Sequence, residues 1–511
     1  MSRRPLRINF IVNLLSPAMR IIVAFATIPM YLRHVGDARY GIISIVWVLL
    51  GVFGFFDFGL SRAVTNALAK LRDAPQPERA RVLLTTFTLN LGIGLVSGFV
   101  LYVFGGFMLR YFISVPEALS QEVSQSLPWI ACLLPLTLMS TSGAGALDSR
   151  EFFLLVNTIQ IVTMTMAQVA PALAAVFISP SLTVVIPIAV LAQALGAIAN
   201  LVVVYRLEGP FSLREIDWGE ARKLLGYGGW IFGSNVLYPA LASADQFVIG
   251  SIMGVASVAH YAVPMSLVQR SGAIPMAFGR TFFPRMSSLS GDMAFVLGAR
   301  ALVSMAYGFA AICAPAIILS PIFFRYWIGA DFATVSAPVA QILFPGMWMW
   351  ALSFVGFTLL QSQGRADLTG KLNMLEFVPF VGFLWGLTLT FGIVGAAAAW
   401  TLRCTVDALL MSWLSGMRGK DLFPLLPPVV LLAATLAIAW FLGSSILQSN
   451  FLIAFLVAAF AGSVAIALSY LFSDDWRTLI EAQVNRALVF FNDLTIRAAK
   501  RSRSINSNAH K

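Results

Sequence analysis

Long uninterrupted runs of apolar residues, separated by short polar or charged segments, dominate the chain. A helix needs about 20 predominantly apolar residues to cross the hydrocarbon core of a bilayer, and each run is long enough for one crossing. With proline, glycine and charge clusters taken as boundaries, the pattern predicts fourteen transmembrane helices and an all-α polytopic membrane protein. The predicted spans cover residues 8–32, 40–62, 83–109, 126–147, 152–177, 182–205, 225–250, 257–283, 296–323, 336–361, 370–392, 394–416, 423–443 and 451–472.

The composition agrees with this prediction and excludes a water-soluble enzyme. Of the 511 residues, 59% are hydrophobic and 11% are charged, whereas soluble globular proteins carry roughly 25% charged residues. Cys132, Cys313 and Cys404 lie inside apolar runs without metal-ligand spacing, so we expect them to pack rather than to bind a metal. Neither a metal site nor a cofactor is expected.

The basic residues predict the orientation in the membrane. Arg3, Arg4 and Arg7 precede the first span, and the positive-inside rule places them in the cytoplasm. Most of the 34 Lys and Arg residues then fall on the cytoplasmic side, and the outer loops hold Arg33, Arg39, Arg110 and Arg325. The net charge of +11 therefore follows from topology, with both termini cytoplasmic, and nucleic acid is not an expected partner.

A short internal repeat predicts two similar lobes. Residues 13–18 and 235–240 share the pattern Asn-x-Leu-x-Pro-Ala in the first and seventh predicted spans. Two pseudo-symmetric six-helix lobes around a central cleft are the ground plan of many alternating-access transporters. We therefore predict an N-terminal lobe over 1–210, a second lobe over 211–420, two additional C-terminal spans over 421–472 and a cytoplasmic amphipathic and basic tail over 473–511.

Two arginines lie about halfway through predicted spans, Arg20 in the first and Arg270 in the eighth. A charge at the bilayer centre costs at least ~2.5 to 3.5 kcal/mol on insertion scales, so each is a functional candidate. Neither has a carboxylate three or four residues away, and guanidinium groups bind phosphate oxygens bidentately. We predict that Arg20 and Arg270 bind an anion in the cleft. The alternative is that they pair with carboxylates of other helices and hold the lobes together.

Other charges in the spans are candidates for gating. Asp245, in the outer third of the seventh span, is placed where it could face Arg20 across the pseudo-two-fold axis as a gate. Asp57 and Arg62 lie near the cytoplasmic end of the second span and are cytoplasmic gate candidates. For Asp57 a local cap or salt bridge is favoured over titration.

The eleventh and twelfth spans contribute candidates for ion coupling. Glu376 lies about a third of the way into the eleventh span. Arg403 and Asp407, four residues apart in the twelfth, can neutralise each other on one helix face. This spacing favours a static pair, and the alternative is a carboxylate that binds H⁺ or Na⁺ once it is released from the arginine.

Four stretches of sequence carry a family pattern. They are YLRHVGDARYG at 31–41, FFDFGLSR at 55–62, DQFVIG at 245–250 and VAHY at 258–261. Together with the order of spans from about residue 8 to 472, they resemble the bacterial polysaccharide-biosynthesis flippases, which share a superfamily with the multidrug and toxic-compound extrusion transporters.

This resemblance implies a flippase for undecaprenyl-pyrophosphate-linked oligosaccharide, which serves O-antigen or exopolysaccharide biosynthesis at the bacterial cytoplasmic (inner) membrane. It also implies two lobes around a positively charged cavity and alternating access driven by an ion gradient. In the related peptidoglycan-precursor flippases, the helices that correspond to those of Arg20 and Arg270 supply cationic cavity residues. The expected partners are the lipid-linked oligosaccharide and membrane lipid, with a polysaccharide polymerase and co-polymerase as further candidates.

Competing functions are distinguishable by their charge requirements. A multidrug cation antiporter on the same fold needs acidic cavity residues, whereas the mid-membrane charges here are largely arginine. A membrane polysaccharide polymerase or glycosyltransferase usually needs an extended outer loop, and the longest predicted one, near 110–125 with Glu117 and Glu122, is short. A scaffold or lipid scramblase is a third alternative. No Walker A sequence is present, and the chain is not expected to be an enzyme.

Overall fold

A computed structural model describes the backbone of residues 6–54, 57–209, 216–235 and 237–482. Within these ranges, the side chains of residues 6–18, 20, 227–235, 237–240, 242, 366 and 444–445 are outside the description. The described residues form helices and contain no β-strand. The all-α prediction is therefore confirmed.

The helices follow one another with short connections. Their bounds are α1 Leu6–His34, α2 Asp37–Gly54, α3 Leu60–Lys70, α4 Gln76–Phe107, α5 Glu117–Ser149, α6 Phe153–Phe177, α7 Leu182–Glu208, α8 Trp218–Asn235, α9 Leu237–Ile252, α10 Val255–Ser271, α11 Ala273–Ser288, α12 Gly291–Trp327, α13 Ala330–Ser362, α14 Ala366–Leu414, α15 Gly419–Leu422, α16 Leu426–Ser449 and α17 Phe451–Phe472. A π-helical turn, Met108–Phe112, follows α4.

Ten helical stretches of the described residues are long and apolar enough to cross a membrane. One of them includes most of α14, whose 49 residues would extend roughly 73 Å at 1.5 Å per residue, more than twice a hydrocarbon core of about 30 Å. Gly392 interrupts α14 with φ 62° and ψ −144°, a conformation that only glycine adopts readily. The break matches the boundary predicted between the eleventh and twelfth spans, so α14 provides two crossings.

The second predicted span, 40–62, is two helices rather than one. α2 ends at Gly54, and α3 begins at Leu60. Phe58 and Gly59 have φ of 49° and 69°, which lie in the left-handed region and cannot continue an α-helix. The hydrophobic pattern did not reveal this break, because the apolar side chains continue through it.

The outer loop predicted near 110–125 is shorter than expected. The π-helical turn ends at Phe112 and α5 already begins at Glu117. Glu122 therefore lies in the second turn of α5, where it accepts two hydrogen bonds from Arg39 of α2, at 3.0 and 2.7 Å, and one from Leu182 N at 2.8 Å. This carboxylate joins α2, α5 and the first turn of α7.

The helices group into two compact units. Unit 1 consists of Met1–Arg270, Tyr326–Val339 and Gly370–Trp400, and unit 2 consists of Ser271–Arg325, Ala340–Thr369 and Thr401–Lys511. Within unit 1, α5 contacts α2, α3, α4 and α7, while α6 packs on α1 and α7. Asn90 of α4 donates from Nδ2 to Leu138 O at 3.0 Å and to Ser142 Oγ at 2.6 Å on α5, and these two bonds link the helices inside the bundle.

A buried charge network closes one end of the unit 1 bundle. The guanidinium of Arg79 donates to both carboxylate oxygens of Glu208, at 3.0 and 2.8 Å, and both side chains are 2% exposed. Arg150 approaches the same carboxylate at 2.6 Å. Arg79 also donates to the carbonyl oxygens of Leu68, Leu71 and Arg72 at the end of α3. The network therefore ties α3, α4, α5 and α7 together.

The tail predicted over 473–511 begins as a helix, over residues 474–482, and its remainder lies outside the described residues. Trp476 donates from Nε1 to Ser304 O of α12 at 2.8 Å, and Ser304 Oγ donates to Asp475 at 2.7 Å. A Cβ at Gly308 would overlap the Trp476 ring. The start of this helix is thus seated against α12 within unit 2.

Candidate functional site

Arg270 is the penultimate residue of α10 and is half-buried in unit 1. Its charge interacts with the phenol of Tyr40 on α2, which belongs to the N-terminal lobe predicted from the sequence. Arg20 lies on α1, and its side chain is outside the described residues. The paired-arginine anion site therefore remains a prediction, of which the structure describes the Arg270 half.

Asp245 is buried on α9, at 1% exposure. Its Oδ2 accepts a hydrogen bond from Tyr261 OH of α10 at 2.7 Å, and its Oδ1 accepts one from Gln246 N at 2.8 Å. Tyr261 is itself fully buried. This carboxylate links α9 to α10, and the gate between Asp245 and Arg20 remains a prediction.

The ion-coupling candidates lie on both arms of α14. Glu376 is buried at 6% exposure on the first arm, in unit 1. Asp407, on the second arm in unit 2, is 8% exposed and accepts a hydrogen bond from Ser353 Oγ of α13. The charge of Arg403 also acts on Asp407. Asp407 thus has one hydrogen-bond donor and a nearby positive charge, and Glu376 lies in a different unit.

Asp57 and Arg62 lie at the break between α2 and α3. Asp57 Oδ1 accepts a hydrogen bond from Gly59 N at 2.8 Å and stabilises the turn. Arg62 is exposed, and its charge acts on the Asp57 carboxylate. The local cap is therefore present in the structure, and a gating role for this pair remains a prediction.

One end of unit 1 is closed by contacts between helices that the sequence analysis assigns to different lobes. A Cβ added to Gly41 of α2 would lie well inside 3.0 Å of the Val255 carbonyl oxygen at the start of α10, so only glycine permits this approach. Nearby, Ser114 donates from its backbone N to Gly250 O at 3.0 Å and from Oγ to Ser251 O at 3.2 Å. We call this set of contacts the closure.

A histidine extends the closure. His260 of α10 contacts two other helices. Its Nε2 is 3.3 Å from Asp37 Oδ2 of α2, and its Nδ1 is 3.0 Å from Ser336 Oγ of α13. The ring stacks on Phe332 at 4.7 Å. Trp327 also donates from Nε1 to Phe25 O of α1 at 2.8 Å. Sequence reasoning missed these contacts, because the partners are separated by up to 302 residues and no local pattern pairs them.

Unit 1 also contains a cavity of about 610 Å³ between α2, α3, α5, α6 and α7, with a mainly apolar wall that carries several polar groups. This volume is within the range of about 300–1,000 Å³ that is typical of ligand pockets. Its polar lining includes Thr137, Ser140, Thr141, Gln160, Gln168 and Gln193. Asn200, also in the wall, donates to Ser140 O at 3.0 Å and so bridges α7 and α5. The hydrophobic pattern gave no sign of this cavity, since isolated polar residues in long apolar helices are usually satisfied by neighbouring helices.

Comparisons with known proteins relate the chain to membrane transporters. A family model described as "Polysaccharide biosynthesis protein" matches residues 6–290. A protein of Shigella flexneri named "Putative O-antigen transporter" is 26% identical over 412 residues, which cover 80% of this chain and 96% of that protein.

Two solved structures share the fold. The lipid II flippase MurJ, in an inward closed conformation, matches with a TM-score of 0.70 and 13% identity over 93% of this chain and 99% of MurJ. An inward-facing multidrug resistance MATE family transporter of the MOP superfamily matches with a TM-score of 0.63 and 13% identity, over 83% of this chain and 98% of that transporter. The predicted resemblance to the polysaccharide-biosynthesis family is confirmed by the family model, and the two structures show that this chain shares their fold.

Proposed function

The chain belongs to the polysaccharide biosynthesis protein family, and we propose that it is a flippase for undecaprenyl-pyrophosphate-linked oligosaccharide. It moves this lipid to the outer leaflet of the bacterial cytoplasmic membrane, where the glycan serves O-antigen or exopolysaccharide assembly. The observation that carries the mechanism is the closure: helices from both predicted lobes meet through Gly41, Val255, Asp37 and His260. Likeness to an O-antigen transporter supports the cargo.

The cargo explains why an arginine is held within the membrane. A pyrophosphate and its sugars cannot cross about 30 Å of hydrocarbon without replacement of their hydration. Guanidinium groups at Arg20 and Arg270 supply charge-assisted hydrogen bonds for the pyrophosphate. The polyprenyl tail remains in the surrounding lipid.

Alternating access explains why one side of the protein is closed, and the predicted topology gives the side of the membrane on which the closure lies. With both termini in the cytoplasm, the connections after α1, α4 and α9 face outward, so the closure lies on the outer side. Two six-helix lobes, 1–210 and 211–420, rock about the substrate, while 421–472 and the tail 473–511 are additions to this core. An ion gradient supplies the energy, and Asp245, Glu376 and the Arg403–Asp407 pair are the coupling candidates.

The flippase reading is tested by deletion of the gene and mass spectrometry of lipid-linked glycans. We expect full-length oligosaccharide on undecaprenyl pyrophosphate to accumulate and to remain inaccessible from outside in spheroplasts. Normal surface polysaccharide would contradict the proposal. A multidrug cation antiporter, the alternative that the shared MATE fold keeps open, predicts instead unchanged glycans and increased sensitivity to lipophilic cations. Accumulation of shorter glycans would indicate a polymerase.

Arg270→Ala is expected to reduce export of surface glycan at least about tenfold at unchanged protein level, because one lost charge-assisted hydrogen bond is worth roughly 1.5–3 kcal/mol. Arg20→Ala should have the same effect. Arg270→Lys should retain part of the activity, since lysine keeps the charge and loses the bidentate geometry. Arg280→Ala, which removes an exposed arginine of α11, is the matched control. Full export by both Arg270→Ala and Arg20→Ala would eliminate the anion site.

A further inference from the structure

The cavity of about 610 Å³ in unit 1 combines hydrogen-bonding groups with an apolar wall. Hydroxyl and amide groups come from α5, α6 and α7, whereas Trp47 of α2 and Val156, Ile159 and Met164 of α6 are apolar. From Val156 to Gln168, α6 rises roughly 18 Å along the cavity, at 1.5 Å per residue. The cavity therefore extends from near the junction of α5 and α6 to about the middle of these helices.

Three glutamines in this wall, Gln160, Gln168 and Gln193, make no side-chain hydrogen bond with any of the described residues. Each amide offers two donors and one acceptor. Gln160 is exposed, whereas Gln168 and Gln193 are half-buried about midway along α6 and α7, where polar groups that face the hydrocarbon region need a polar partner. Such groups indicate a polar occupant.

The charge of the lining residues indicates which class of ligand the cavity can bind. Its described residues include no Lys or Arg, and the one ionisable group among them is the Asp148 carboxylate. A phosphate or another anion would be repelled by this group. Amides both donate and accept, which matches the hydroxyl groups of a neutral sugar, and the Trp47 indole offers an apolar face to the C–H side of a sugar ring.

We propose that this cavity binds the sugar hydroxyls of the transported lipid-linked glycan, with Gln168 and Gln193 as the principal hydrogen-bonding residues. This inference rests on the proposed flippase function and gives the sugars hydrogen-bonding partners other than the arginines that it assigns to the pyrophosphate. Asn200 has a bridging role between α5 and α7, because its Nδ2 donates to Ser140 O and Oγ, and among the described residues only its Oδ1 is without a hydrogen-bond partner. The cavity lets the protein recognise the glycan portion of its cargo as well as the pyrophosphate.

The test compares two lipids on the full-length protein in lipid nanodiscs. One is the undecaprenyl-pyrophosphate oligosaccharide extracted from cells that lack the gene, and the other is undecaprenyl pyrophosphate without sugars. The Gln168→Leu/Gln193→Leu double variant is expected to bind the glycan-bearing lipid at least about tenfold more weakly, since at least one uncharged hydrogen bond is lost at each position. Binding of the sugar-free lipid should be unchanged.

Gln363→Leu, the same change at an exposed position of unit 2, is the matched control, and thermal unfolding checks that the variants are folded. Equal weakening for both lipids, or none for either, would overturn the cavity assignment and leave the flippase proposal intact. Wild-type protein that binds neither lipid would overturn both proposals. Binding of tetraphenylphosphonium that is lost in Asp148→Asn, without binding of the glycan-bearing lipid, would reassign the cavity to a cation.

Discussion

Gly41→Ala is expected to open the closure, which the proposed orientation places on the outer side of the membrane, and to stop export. The added Cβ would lie well inside 3.0 Å of the Val255 carbonyl oxygen, so α2 and the start of α10 must separate. Overpacking of this kind costs about 1–3 kcal/mol, which corresponds to a shift of roughly 5- to 150-fold between two conformations. The measurement is labelling of Ile113→Cys, a residue that is 4% exposed beside Gly250, by a membrane-impermeant maleimide in intact cells.

Gly51→Ala is the control for this prediction, because Gly51 lies on the same helix and a Cβ there meets nothing within 4 Å. The labelling background carries Cys132→Ser, since Cys132 is exposed whereas Cys313 and Cys404 are buried. Labelling that rises in Gly41→Ala but not in Gly51→Ala supports a gate that moves. Unchanged labelling together with normal export would show that these helices do not need to approach as closely as the structure places them.

Glu208→Ala is expected to lower the free energy of unfolding by about 3–5 kcal/mol, because it leaves the buried charge of Arg79 without its carboxylate. Arg79 would keep only its bonds to the carbonyl oxygens of Leu68, Leu71 and Arg72. We expect a lower thermal unfolding temperature in detergent and reduced abundance in the membrane.

Arg72→Ala provides the comparison. Arg72 pairs with Glu151 at 3.1 Å, but both side chains are more than half exposed, so this ion pair should contribute less than about 1 kcal/mol. A similar decrease in unfolding temperature in the two variants would mean that the buried Arg79–Glu208 pair stabilises the fold no more than an exposed ion pair does. A larger shift in Glu208→Ala would identify the network as a principal stabiliser of the unit 1 bundle.

Arg79 shows which properties of a residue can be predicted from the sequence and which cannot. In the sequence it is one more basic residue among those that predict a cytoplasmic segment. In the structure its side chain is 2% exposed and is neutralised by Glu208. The sign of the charge could be read from the sequence, whereas its burial depends on the close approach of α3, α4, α5 and α7, which sequence spacing does not determine.

In the candidate site, too, some residues were identifiable from the sequence and others only from the structure. Arg270 was identifiable because a charge within an apolar run is rare and costly. The contact of His260 with Asp37 and Ser336 was not, since these residues belong to three separate helices. The same limit applies to Gln168 and Gln193, whose isolated amides acquire significance only through the cavity that they share.

The sequence by itself determined the class of protein, the approximate number and order of membrane-crossing segments and the family. These features depend on the length and composition of continuous segments, because each helix that crosses a bilayer must by itself be apolar and long enough to do so. Only the tertiary structure decided where helices break, which charges are buried in pairs, which helices meet at Gly41 and Val255, and where a cavity with polar groups remains. Those features depend on side-chain shape and on contacts between residues far apart in the chain, so they exist only after the helices have packed.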